Sequence, residues 1–400
     1  MSRDLAPLSP RALSRRRAIE ARIGEFVELR RELHQRPELA FQEQETSERL
    51  AGLLRGWGYD VASGLAGTGL VASLTRGSGS RILGLRADMD ALPIQETTGL
   101  DWASVNQGVS HACGHDGHMA ILLAAARWLA EEGEFSGVLR LILQPAEEIG
   151  AGAKKMIEEG LFTRFPVDAV FGLHNWPGVP VGKFGFVTGP AMASVDLAEV
   201  RIKGQGGHGA EPHETIDPVL AAAHVVTALQ SIVSRNVDPR EMAVVTVGAI
   251  HGGAAANVIP EFVDLRLSLR AFTPENRAFL QERVPAVIKA AAAVFGAEAE
   301  VRLKTGFPSL INPAAQIAFA QEAAEEALGP EAVLTDFRPR TASEDFAYML
   351  QARPGAYLFV GIGEGAPLHS PAYRFNDAIL APAATFWAAL AERFLQESPA

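Results

Sequence analysis

Along the first half of the chain, apolar positions recur at helical and strand periods in turn. Phe26, Leu29 and Leu33 share a helical face within 19–33, and Pro37 ends that segment. Leu50, Leu53 and Leu54 do the same within 46–56. Apolar runs at 70–75, 81–86, 138–143 and 168–173 read as strands. Helical patterns fill 117–132 and 152–159, the second closed by Gly160. Strands separated by helices predict a largely parallel sheet covered on both faces.

Near residue 189 the pattern changes. A strand at 195–203 is followed by Asp217-Pro218, an N-cap with proline at the first helical position. That helix runs to about residue 234, with Val219, Leu220, Ala223, Val226 and Leu229 expected inward. Alternating strands at 243–250 and 262–270 follow, then a helix opened by Thr273-Pro274 and a strand at 298–304. The order β-α-β-β-α-β is that of a ferredoxin-like domain. From about residue 306 the first pattern resumes, with a helix at 314–328, a strand at 356–361 and a helix at 382–395. The chain is thus expected to be α/β: a mostly parallel-sheet domain over 1–188 and 306–400, interrupted by a ferredoxin-like α+β domain over 189–305.

Composition narrows the function. The 400 residues carry 36 basic and 47 acidic side chains, a formal charge of −11, and 48% are hydrophobic. Such a chain can fill a core and is a poor partner for nucleic-acid phosphates. The dense basic cluster Arg15, Arg16, Arg17 and Arg22 reads as a solvated helix face. No basic–apolar–small-residue leader opens the chain, and the most apolar stretch, 120–130, falls short of the ~18 residues that span a bilayer. The expectation is a soluble, cytoplasmic protein with no nucleic-acid or membrane partner. A single cysteine beside ten histidines rules out an intrachain disulfide framework.

The chemistry collects where the predicted strands end. Asp88 and Asp90 follow one strand, Glu147 and Glu148 the next, then His174, and His369 lies beyond the last. Open α/β sheets bind ligands at the carboxyl ends of their strands. The densest segment is His111-Ala-Cys113-Gly-His115-Asp116-Gly-His118, just before a helix. Thiolate, imidazole and carboxylate together are ligands for a borderline cation such as zinc, and the spacing matches no structural zinc finger. The adjacent Glu147 and Glu148 cannot play one role: one can ligate while the other moves protons. Two motifs are set aside. Gly204-Gln-Gly206-Gly-His-Gly209 fits a dinucleotide fingerprint, but Pro212 and Pro218 separate it from the next helix. His111 and His115 are four apart without the glutamate of an H-E-x-x-H helix.

Seven runs occur in an order that resembles a known family: Gly84-Leu-Arg-Ala-Asp88-Met-Asp90-Ala-Leu-Pro93, the segment from His111 to His118, Gln144-Pro-Ala-Glu147-Glu148, Gly206-Gly-His208, Ala256-Asn257-Val-Ile-Pro260, Ser343-Glu344-Asp345-Phe346 and Leu368-His369-Ser-Pro371. They resemble the aminoacylase and carboxypeptidase-G type metallopeptidases. The nearest branch is that of hippurate hydrolases and plant hydrolases of auxin–amino acid conjugates, and the likeness covers about 33–395. The Cys-Gly-His-Asp-Gly-His run is particular to that branch.

The resemblance implies a metal-binding catalytic domain with an inserted lid that also dimerises. It implies two divalent ions per subunit (Zn, Mn, Co or Ni), held by Cys113, His115, Glu148, His174 and His369 with Cys113 bridging. Glu147 would be the general base and acid, and Asp90 and Asp116 would orient ligands. His208 would stabilise the oxyanion, often from the partner subunit, while Asn257 and Arg270 would bind the substrate carboxylate, with Arg266 an alternative to Arg270. The implied reaction is hydrolysis of N-acyl-L-amino acids. Alternatives are a dipeptidase or carboxypeptidase, an N-acetyl-diaminopimelate-type deacetylase, and a non-catalytic binding protein that keeps the fold. One departure is Ala342, where the family usually has glycine.

Overall fold

The computed structural model describes residues 8–396. The first helix, α1 (Pro10–Gln35), begins well before residue 19, because the Ser9 side chain accepts the Ala12 N–H and Pro10 starts the first turn. Its early turns are not uniformly solvated. Arg15 is buried against Glu392, whereas Arg16 pairs with Glu20 on the surface. This corrects the reading of the arginine cluster as a wholly exposed face. The second helix, α2 (Gln44–Gly56), buries Leu50 and Leu54 as its spacing predicts.

The chain divides into two compact units. Unit 1 runs to Gly189 and resumes over Ile311–Arg338 and from Asp345 onward. Among its described residues, one sheet has the order β1-β2-β4-β3-β5-β11-β6. These strands are β1 (Asp60–Leu65), β2 (Gly69–Arg76), β3 (Ile82–Asp88), β4 (Gly137–Gln144), β5 (Ala169–Pro177), β6 (Phe184–Gly185) and β11 (Gly355–Gly363). The pairs β4-β3, β3-β5 and β5-β11 are parallel. The pairs β1-β2, β2-β4 and β11-β6 are antiparallel. The sheet is therefore mixed, with a parallel centre and antiparallel flanks. Strand β1 escaped the sequence reading because, at the sheet edge, Leu65 is its only buried residue. A turn with positive φ at Ala66 and Gly67 folds β2 back against it.

Unit 1 also holds α3 (His115–Glu131), α4 (Gly152–Glu158), α7 (Ala314–Leu328) and α8 (Leu380–Gln396); α3 is buried almost throughout, packed against α1 and α8. A helix buried on all sides reads as apolar on all sides, as this one does. The stretch 377–396, and not 120–130, is the apolar segment long enough to cross a membrane among the described residues. Of its apolar window 78% is buried within the protein, so it is a core helix here.

Unit 2 comprises Pro190–Leu310 and Pro339–Glu344. It contains β7 (Ser194–Lys203), α5 (Pro218–Asn236), β8 (Ala243–His251), β9 (Phe262–Ala271), α6 (Pro274–Ala293) and β10 (Glu298–Thr305). The sheet is antiparallel with the order β8-β9-β7-β10. Asp217 and Thr273 cap the two helices as their sequences predict. The buried face of α5 differs from the expected one. Ala221, Ala222, Val225, Leu229 and Ile232 face the core, while Val219 and Leu220 are about half exposed. Alanines fit the close approach of helix to sheet, so the buried stripe is offset by a residue from the bulkier one.

The segment Pro339–Glu344, placed by sequence with the flanking 306–400, packs in unit 2 instead. Ala191 and Ala342 carbonyls accept from Arg340 N and Ala193 N, and Arg270 Nη1 donates to Thr341 O at 2.9 Å and Ser343 Oγ at 3.0 Å.

Candidate active site

The carboxyl ends of β3, β4, β5 and β11 deliver Asp88, the Glu147–Glu148 turn, His174 and, through a loop, His369 to one place in unit 1. Cys113 and His115 arrive from the loop that opens α3. Gly114 there has φ +92, and a Cβ on it would lie 2.1 Å from Asn175 Oδ1. Only glycine meets both demands. His369 also holds a left-handed backbone, φ +64, and its N–H donates to Ala112 O, next to Cys113. Such conformations persist where the surroundings over-determine them.

The donor atoms of Cys113, His115 and His174 lie within 4.8 Å of one another, and so do those of Cys113, Glu148 and His369. All five residues expected as ligands thus converge, and Cys113 belongs to both groups. Cys113 Sγ is 3.3 Å from His174 Nε2, and His369 Nε2 is 3.4 Å from Glu148 Oε2. His115 Nδ1 donates to Asp90 O at 2.8 Å, and His174 Nδ1 to Asn175 O at 2.6 Å. Each bond leaves Nε2 of the ring to face the cluster.

Charge and satisfaction both indicate a cation. Buried His115 Nε2 and Glu148 Oε1 have no hydrogen-bond partner, which is costly without an ion. Burial, with Glu148, Glu147 and Asp88 nearby, pushes the Cys113 thiol well above its usual range. Burial, together with Asp90 and Asp88, raises Glu148 to about 7, although His115 opposes it. Burial lowers the His115 pKa, but Asp88, Asp90 and Glu148 override it and hold the ring up to about 10. Negative charge is in surplus, and divalent cations would restore the thiolate and carboxylate. The residues present therefore fit two metal ions.

Glu147 is 6% exposed and its donor atom lies within 4.8 Å of those of His115 and Glu148. Asp90 Oδ1 accepts Glu147 N and Oδ2 accepts Glu148 N, both at 3.0 Å. Asp90 thus supports the site through the backbone of both glutamates. Asp116 does not orient a site residue. It points the other way, to Arg30 Nη1 and His34 Nδ1, both at 2.9 Å.

Unit 2 carries the remaining three. His208 is exposed and pairs with Val258, and Asn257 O accepts Gly209 N, so His208 and Asn257 are neighbours. Arg270 sits elsewhere. It lies opposite Val195 at the start of β7, whereas His208 lies beyond Lys203 at its end. At ~3.4 Å per residue, that strand separates them by roughly 27 Å. Arg266 is exposed and pairs with Ala249 in mid-sheet.

Several supporting residues carried no decisive sequence signal. His118 Nδ1 donates to Asp88 Oδ1 at 2.6 Å, and its Nε2 accepts Asn175 N at 3.1 Å. Asp88 is also bound to Arg86 Nη1 at 2.6 Å, which in turn meets Asp345. A guanidinium beside Asp88 disfavours a cation there, so Asp88 and His118 brace the strand ends. His111 is buried with neither nitrogen hydrogen-bonded, and burial lowers it to about 4. Spacing could have singled out His118; nothing in the sequence pointed to Glu43, a buried carboxylate that bonds Ala146 N.

Residues 84–393 match Peptidase family M20/M25/M40. Hippurate hydrolase of Campylobacter jejuni is 42% identical over 373 residues, covering 93% of this chain and 97% of that protein. N-acetyl-L-cysteine deacetylase of Bacillus subtilis is 41% identical, covering 94% and 89%. The crystal structure of the Bacillus subtilis YXEP protein, described as a dinuclear metal binding peptidase, superposes with a TM-score of 0.81 at 35% identity, covering 94% of this chain and 99% of that one. With a matched span of this length and these relatives, the chain belongs to Peptidase family M20/M25/M40.

Proposed function

We propose that the protein is a dinuclear metal-dependent amidohydrolase that cleaves N-acyl-L-amino acids of the hippurate or N-acetyl kind to a carboxylic acid and a free amino acid. The observation that carries this reading is the convergence of His115, Glu148, His174 and His369 on Cys113, with Glu147 beside them. Relatives named for hydrolysis of hippurate and N-acetylcysteine support the substrate class.

Cys113, His115, Glu148, His174 and His369 would hold two divalent ions, with zinc, manganese, cobalt or nickel compatible with this donor set. When bound, such ions supply Lewis acidity and lower the pKa of water near them. Glu147 takes the proton of the attacking water and returns it to the departing amine, and Asp90 keeps its backbone in place. His208 donates to the developing oxyanion. Arg270 and Asn257 receive the free carboxylate; Thr341 and Ser343 occupy Arg270 Nη1, and Nε and Nη2 are uncommitted among the described residues.

Unit 2, whose topology is that of a ferredoxin-like domain inserted between the two parts of the catalytic domain, serves as lid and dimerisation domain. The separation of His208 and Asn257 from Arg270 along β7 supports a homodimer, since one substrate could meet both only if they come from different subunits. A lone thiol kept for metal suits a reducing compartment, which makes the cytoplasm the proposed location. The test is turnover of a panel of N-acyl amino acids and dipeptides by metal-loaded enzyme. Preference for the acyl amino acids is expected; a preference for dipeptides would replace this reading with a dipeptidase.

A further inference from the structure

We propose that Glu43 is a positioning residue for Glu147, fixing the left-handed residue from which the Glu147–Glu148 turn springs. The proposal rests on the reading of Glu147 as the proton carrier.

Glu43 occupies the N-cap position of α2, yet its side chain gives that helix no bond. Glu38 takes the task instead: its Oε1 accepts Gln44 N and Glu45 N, and its Oε2 accepts Thr46 N. Glu43 is thereby released inward and is fully buried. Its Oε1 accepts Ala146 N at 2.9 Å, and its Oε2 accepts the Thr68 hydroxyl at 2.6 Å. Thr68 itself follows the Ala66–Gly67 turn between β1 and β2.

Ala146 has φ +53, a left-handed conformation that is unfavourable for a non-glycine residue and that the surroundings must impose. They do so from both sides of the peptide. The Ala146 carbonyl accepts Gly152 N at 3.1 Å, and a Cβ on Gly152 would lie 1.6 Å from Pro145 O. The N–H groups of Ala146, Glu147 and Glu148 end in succession on Glu43 Oε1, Asp90 Oδ1 and Asp90 Oδ2. Two buried carboxylates therefore set the direction of three consecutive peptides. Without Glu43, the Ala146 N–H would be orphaned in the interior and its backbone free to relax toward φ < 0. The Glu147 carboxylate would swing, while Cys113, His115, His174 and His369, which other segments carry, would stay.

The experiment compares full-length, metal-loaded wild type with Glu43→Ala, Glu43→Gln, Thr68→Val and Glu147→Gln. It reads kcat per loaded site, KM and metal content. Glu43→Ala is expected to lose about 10–100-fold in kcat, the scale of an ångström-sized misplacement, at nearly unchanged KM and full metal content. Glu43→Gln keeps an acceptor for Ala146 N and a donor for Thr68, and is expected to stay near wild type. A purely structural role would lower thermal stability and leave kcat per loaded site unchanged. The proposal is overturned if loaded Glu43→Ala turns over as wild type does, or if Glu43→Gln is as impaired as Glu43→Ala. Should Glu43→Ala fail to fold, Thr68→Val decides, with a reduced kcat expected and an unchanged one contradicting the proposal. Full activity in Glu147→Gln would instead end the reading of Glu147. An inactive Glu147→Gln beside a fully active Glu43→Ala would remove the positioning role alone.

Discussion

Glu147 and Glu148 are chemically identical, and their environments differ. Both lie beside His115, but Glu148 shares a cluster with Cys113 and His369, whereas Glu147 receives the Asp345 N–H at 3.4 Å on Oε1. Replacing Glu147 with glutamine keeps the shape and removes the base. Steady-state kinetics should show kcat lower by about 10²–10⁴-fold with metal content unchanged. Retained turnover would assign the proton to another group. At this scale the sequence was informative wherever residue type alone limits the chemistry, as at Cys113 or the glutamate pair. It was silent at Glu43, whose role depends on Glu38 capping α2 in its stead. It misassigned Asp116, because the neighbour of a ligand on a helix points to a different face.

Among the elements, α3 bears the greatest constraint, since its first turn presents His115 to the cluster while Asp116 anchors it to α1. His34 on α1 bonds Asp116 and lies 3.3 Å from Glu96. Burial lowers its pKa, but these two carboxylates override that and raise the ring to about 9. A pKa raised on folding adds stability that is complete below the unfolded value of about 6.5 and is lost as pH climbs through the folded one. Denaturant unfolding of wild type and His34→Asn should therefore differ most below pH 6.5. The gap should close as pH passes about 9; a gap independent of pH would mean that His34 is neutral in the folded protein. Elements opened by an N-cap residue followed by proline, such as α5 and α6, were legible at their starts. The edge strand β1 was not, since an edge strand with one buried side chain has little pattern to read. The buried face of α5 was misplaced in its first turns because Ala221 and Ala222, and not Val219 and Leu220, face the core there.

For the whole molecule, the alternation of helix and strand conveyed the class, and the change near residue 189 marked the second unit. The crossing of 339–344 into unit 2 was illegible, because it rests on backbone pairing with Ala191 and Ala193 that no side-chain pattern encodes. The layout of unit 2 leads to an expectation about assembly. If His208 serves the partner's site, mixing inactive His208→Ala with inactive Glu147→Gln yields mixed dimers in which one site holds both lesions and the other none. Subunit exchange should then restore activity, up to about half of the wild-type value per mixed dimer. Absence of recovery after proven exchange would place His208 in its own subunit's site.

Cys113, whose sulfur belongs to both donor groups, would be shared by the two ions of the proposed centre. The most direct measurement is metal content by elemental analysis of wild type and Cys113→Ser, after chelation and reloading across a range of free metal. Wild type should retain about two ions per chain, and Cys113→Ser should bind its ions at least about tenfold more weakly. One ion per chain in wild type, or unchanged affinity and stoichiometry in Cys113→Ser, would exclude a two-ion centre that shares Cys113.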